Sequence, residues 1–112
     1  MLSMQEDNIP KKVLKKLEIV SSKVKSKQEL ENELKNEGFS FYEWSDSPGA
    51  HYPPHFHKHD ECICVVEGKI SFYINKNEYE LKAGQKLYLP ALTMHEAKNK
   101  SDKKVTYLIG ER

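Results

Sequence analysis

The chain has 112 residues, the size of one ordinary domain, with 38% hydrophobic and 31% charged residues, enough for one core beneath a highly charged surface. Its 18 basic and 17 acidic residues leave a net charge of +1, which excludes a protein that wraps nucleic acid through bulk charge. No apolar run is long enough to span a membrane, and the opening MLSMQEDNIP has neither the basic start nor the apolar stretch of a secretion signal, so a cytoplasmic protein without nucleic-acid or membrane partners is expected.

Residues 1–38 read as an N-terminal extension rich in Lys and Glu, with no aromatic residue. Pro10 can open a short amphipathic helix carrying Val13, Leu14 and Leu17, with Lys11, Lys12, Lys15 and Lys16 on its solvated face. Ile19, Val20 and Val24 suit an edge strand. Ser26 followed by Glu29 has the pattern of a capping box, and Leu30 and Leu34 share one helical face. With Gly38 placed to end it, a helix is expected over about 27–37.

From residue 39 to 112 the texture changes to short β-like runs. These are Phe39–Trp44, Glu61–Val66, Lys69–Ile74, Glu78–Lys82, Lys86–Leu89, about Met94–Ala97 and Val105–Ile109. Turn signals separate them: Ser47-Pro48-Gly49, Glu67-Gly68, Asn75-Lys76-Asn77, Ala83-Gly84, Pro90 and 99–102. Short strands at this spacing predict an all-β barrel or sandwich. Cys62 and Cys64 point to one face of a strand and read as reduced packing residues.

Four of the five histidines fall between positions 51 and 59. On a strand His55 and His57 would share a face roughly 6.6 Å apart, close enough for two imidazoles to reach one ion. Glu61 shares their parity but would lie about 13 Å further along a straight strand, so the chain must bend through Lys58-His59-Asp60 to return it. His95 is the one histidine outside the cluster. On its own such a His-rich stretch is equally readable as an exposed loop.

The spacings resemble both signature motifs of the cupin family. Gly49, five residues, His55-Phe56-His57, three residues, Glu61, six residues and Gly68 match the first. Gly84, five residues, Pro90, then His95, three residues and Asn99 match the second, with Leu92 where the family usually has Gly. The resemblance implies a double-stranded β-helix, or jelly-roll, barrel with a short N-terminal helical segment. It also implies one divalent transition metal ion (Mn, Fe, Ni, Co, Cu or Zn) held by His55, His57, Glu61 and His95. His59 is expected in the exposed bend, and His51 on the surface near the mouth. Asn99 is expected in a turn, and Trp44, Tyr52, Phe56 and Tyr88 in core or rim packing. Ile63, Val65, Phe72, Ile74 and Leu89 would line the interior.

The family includes dioxygenases, isomerases and non-catalytic binders. The sequence therefore supports a metal-dependent oxygenase or isomerase for a small organic ligand, or a metabolite, metal or stress sensor without turnover. A homodimer is expected, with Cys62, Cys64 and Val66 in its interface and the N-terminal segment crossing to the partner.

Overall fold

The structure of the protein is a computed structural model that describes residues 16–21 and 26–112. In chain order the elements are β1 (Glu18–Ser21), α1 (Lys27–Asn36), β2 (Ser40–Asp46), β3 (His51–His55) and β4 (Glu61–Glu67). They continue with β5 (Lys69–Ile74), β6 (Asn77–Lys82), β7 (Gln85–Leu89), β8 (His95–Lys98) and β9 (Val105–Glu111). Two antiparallel sheets form the jelly roll, one ordered β1-β7-β4-β9-β2 and the other β3-β8-β5-β6.

Alternation along the strands decides which side chains meet between the sheets. Ile63, Val65, Leu87, Leu89 and Tyr107 come from the first sheet, and Ile70, Phe72, Ile74, Leu81 and Ala97 from the second; all are buried in one cluster. The opposite face of the first sheet presents Cys62, Cys64 and Leu108, which Leu30, Leu34 and Phe39 cover. Helix α1 starts on the expected capping box, with Ser26 and Glu29 bonded reciprocally, and ends at Asn36. Its Leu30 and Leu34 stripe is what docks it to the sheet.

Three expectations are corrected. Cys62 and Cys64, assigned to an interface between copies, are fully buried beneath α1 of their own chain. Of the N-terminal segment expected to cross to a partner, residues 18–21 pair with β7 of the same chain, Glu18 opposite Tyr88 and Ser21 opposite Gln85. Strand β3 was not among the expected runs, because Pro53 and Pro54 interrupt it. Among the described residues it is an edge strand with β8 as its one neighbour and a register shift between Tyr52 and His55, the setting in which missing amide donors are tolerated. Of the helix expected from Pro10, residues 10–15 lie outside the described residues, as does Val24, while Leu17 is non-helical and packs against the core just before β1.

Two reversals set the spacing of the strands around the site. Gly68 joins β4 to β5 at φ 81, and a Cβ there would lie 2.6 Å from the Lys104 carbonyl oxygen, so only glycine fits. Asn75 and Lys76 both take positive φ, giving the two-residue reversal whose twist suits a β-hairpin.

Candidate metal centre

The end of β3, the bend after it and the starts of β4 and β8 meet at one open end of the jelly roll. His55 closes β3 directly opposite His95, the first residue of β8. His57 stands in the bend, and its ring completes a triangle with theirs, centroids 4.4, 4.9 and 5.4 Å apart. One nitrogen from each of the three imidazoles lies within 4.8 Å of the other two.

The orientation of two of these rings is set by the backbone. His55 Nδ1 lies 2.8 Å from the Pro53 carbonyl oxygen, and His95 Nδ1 lies 2.9 Å from that of Thr93. A carbonyl can only accept, so Nδ1 carries the proton and donates, which leaves the Nε2 lone pair free for a cation. His95 is held below the ordinary histidine range, first by burial and then by His55 and His57, against the opposing pull of the Thr93 carbonyl. Burial likewise lowers His57, with His55 and His59 adding to it and Glu111 opposing. Both rings are therefore neutral near pH 7, the form that ligates metal.

Glu61 opens β4 and is 5% exposed. Its Oε2 lies 3.6 Å from His57 Nε2, so it joins the imidazoles at the His57 corner. Burial, and then the neighbouring Glu111, push its carboxyl up to about 7, while His59 acts in the opposite direction. Three imidazoles beside a carboxylate are a donor set for a borderline divalent ion rather than calcium or magnesium.

The return of Glu61 depends on Asp60, which sequence reasoning named only as part of the bend. Its amide and carbonyl both bond Arg112, at 3.2 and 3.1 Å, and its Oδ1 accepts from the Ala91 amide at 2.9 Å. Next along, the Leu92 amide donates to the His57 carbonyl at 2.7 Å. Leu92 holds φ 67, a backbone form natural to glycine, so the turn keeps its shape without one.

A cavity of about 230 Å³ extends from these residues between the sheets. Its walls include Tyr42, Trp44, Tyr52, Ile63, Phe72 and Tyr107. Of the expected lining residues, Ile63 and Phe72 reach it, whereas Val65, Ile74 and Leu89 belong to the packed core. Trp44 and Tyr52 do more than pack. Trp44 Nε1 and Tyr52 Oη donate to Asp46 Oδ1 at 3.0 and 2.5 Å, and the Tyr107 hydroxyl donates to Asp46 Oδ2. Burial and this carboxylate raise both phenols above their ordinary value. The network was not foreseen, since Asp46 and Tyr107 lie far apart in sequence; the signal available was the shared parity of Trp44 and Asp46.

The other singled-out residues lie elsewhere. His51 pairs with Glu96 at 2.5 Å and does not line the cavity. Tyr88 donates to Glu37 at the helix–sheet interface, and Phe56 is 49% exposed. Asn99 is fully buried in the turn before β9, donating to the Lys103 and Asp46 carbonyls and accepting from Ser101. His59 is half-exposed in the bend, but its Nε2 is shielded from solvent.

Residues 42–110 match the family described as Cupin domain. No curated protein matches the chain. Among solved structures, AerE from Microcystis aeruginosa is similar with a TM-score of 0.60 and 23% identity over 65% of this chain and 35% of that one. An uncharacterised conserved protein with a double-stranded beta-helix domain from Klebsiella pneumoniae gives 0.58 and 22%, over 63% and 64%. The polyketide cyclase RemF from Streptomyces resistomycificus gives 0.61 and 23%, over 69% and 58%. The chain thus spans less than two thirds of each of these structures, and at such identities the likeness is one of fold.

Proposed function

The chain belongs to the cupin domain family, and from that premise we propose that it is a metal-binding cupin acting on a small organic molecule. The ion of this reading is one divalent transition metal held by His55, His57, Glu61 and His95. The observation that supports it is the meeting of three imidazole nitrogens from two segments distant in sequence, two with their rings already oriented by backbone carbonyls.

A bound ion would supply Lewis-acid polarisation and open coordination positions beside the cavity. The protein's part is to orient and to exclude water. Tyr42, Trp44 and Phe72 form an apolar wall against which the body of a ligand can lie. Trp44, Tyr52 and Tyr107 give their protons to Asp46, so the lining offers phenol oxygens as acceptors and holds the aromatic rings in place. The volume suits a compact ligand; at roughly 30 Å³ per water-sized group, it holds about seven or eight such groups. A chelating diol, enol or diketone fits these demands, and metal-dependent oxygenation or isomerisation is the proposed chemistry.

The commitment of Trp44, Tyr52 and Tyr107 to Asp46 also favours a second reading, a metabolite or metal sensor without turnover, since outside the four proposed ligands it leaves the described lining the Tyr42 phenol as its one uncommitted acid–base group. Elemental analysis of wild type and His95→Ala, followed by oxygen uptake with small catechols and diketones, separates them. Uptake that requires the His95-dependent ion supports the enzyme; tight ligand binding without consumption supports the sensor. An ion content unaffected by His95→Ala would remove the four-residue site itself. A homodimer in the cytoplasm completes the proposal, the free, buried Cys62 and Cys64 being suited to a reducing compartment.

A further inference from the structure

Strand register layers the cavity behind the imidazoles. Two residues along β8 from His95, roughly 6.8 Å of strand rise, comes Ala97, flanked by Tyr52 of β3 and Phe72 of β5. Ala97 has the shortest side chain of the lining, so space opens at its level. The facing sheet brings Tyr42 and Trp44 from β2 and, from β9, Tyr107, the cross-strand partner of Trp44. Tyr42 and Trp44 meet edge-on, their planes at 89° and their centroids 6.5 Å apart. Five aromatic rings thus line one chamber, Phe72 and Tyr107 buried, Tyr42 and Trp44 half-exposed.

The charges are as one-sided as the rings. Among the described residues no Lys or Arg lines the cavity. The Asp46 carboxylate stands behind Trp44, Tyr52 and Tyr107, each of which donates to it. A ring whose N–H or O–H donates to a carboxylate becomes richer in electrons, and its face draws a cation more strongly. The phenol oxygens, their protons given to Asp46, are left to accept from the weakly acidic C–H groups beside a positive charge. A methylated cation has no N–H to leave unpaired in such a lining.

We propose that this chamber is a cage for a methylated ammonium or sulfonium group. The ligand is then a small zwitterion, its oxygens on the metal and its cationic tail against Trp44, Tyr52, Phe72 and Tyr107. The placement of the oxygens rests on the four-residue reading; the cage does not. A divalent ion with the single Glu61 carboxylate keeps positive charge, so the chamber has two poles that match those of the zwitterion.

Trp44 is the one tryptophan of the chain, so its emission reports on the chamber. The probes are glycine betaine, its isostere with an uncharged tail, 3,3-dimethylbutanoate, and tetramethylammonium. Each is titrated into the full chain, loaded with Zn²⁺ or stripped with a chelator, with affinities checked by calorimetry. Glycine betaine should bind the loaded protein at least about tenfold tighter than 3,3-dimethylbutanoate. Tetramethylammonium should change Trp44 emission saturably with or without the ion. Trp44→Leu, at an exposed apolar position, should cut the betaine preference to about threefold or less by calorimetry. Circular dichroism melts establish that this variant is folded. Betaine bound no tighter than its isostere, a preference undiminished in Trp44→Leu, or no saturable response to tetramethylammonium overturns the cage. A betaine affinity unchanged by stripping and by His95→Ala keeps the cage and overturns the oxygens on the metal.

Discussion

Glu61 couples the site to pH. Its folded value of about 7 lies above the 4.5 of a free carboxyl, so folding favours the uncharged form. Without a cation, its contribution to stability is greatest at low pH and is lost as the pH rises from 4.5 through about 7. A cation must displace that proton at pH 6 but finds the carboxylate ready at pH 8. Calorimetry in buffers of different ionisation enthalpy should therefore read about one more proton released per chain at pH 6 than at pH 8. Glu61→Gln should shrink the difference and, at pH 8, stabilise the metal-free protein by on the order of 1–3 kcal/mol. Equal release at both pH values would exclude Glu61 as a ligand. Leu92 is the second informative residue. With 65% of its surface exposed and φ at 67, it gains little from packing, so Leu92→Gly should raise the melting free energy by about 0.5–1 kcal/mol.

Among the elements, α1 is held by more than its leucines. Lys86 reaches from β7 between Glu33 and Glu37, at 2.6 and 3.4 Å, and its residue is 5% exposed. Burial opposes its charge, but the Glu33 hydrogen bond, with Tyr88 and the Glu37 carboxylate beside it, outweighs that and raises its pKa. Lys86→Ala should cost about 1–3 kcal/mol in urea unfolding, whereas Lys86→Met, which fills the same space, should cost less than ~1 kcal/mol. The strands from β4 to β7 were legible because their alternation and bounding turns are local signals. β3 was not, since two prolines deny it a strand's usual pattern and its edge position is a property of the sheet. The same limit hid the cover over Cys62 and Cys64: parity revealed a shared face, but not which element would lie on it.

For the whole molecule, the cluster of His55, His57 and His95 was readable because the motif spacings carry it. The partnership of Asp46 with Tyr107 and of Glu61 with Glu111 was not, because both arise from the register of β9, the last strand in the sequence. The exposed large apolar residues among those described are Tyr42, Trp44, Phe56, Leu92 and Met94. Two line the cavity and the other three adjoin the segments carrying His55, His57 and His95, so the protein's sticky surface gathers at one end. With Cys62 and Cys64 covered, this end offers the exposed apolar surface among the described residues for the proposed pairing. Light scattering should give twice the chain mass of 13.0 kDa, and Tyr42→Ser with Trp44→Ser should halve it. A wild-type mass of one chain would exclude the dimer.

His55 and His95 belong to one sheet and Glu61 to the other. A cation shared among them would rivet the two layers at their open rim, while the Gly68 reversal ties the layers by the chain itself. Amide exchange should therefore slow most on metal addition near β3, an edge strand whose ladder is broken by prolines, and least in the β5–β6 hairpin. The weakest seam of the sandwich would then be the one that reports, in its exchange lifetime, whether the rivet is in place.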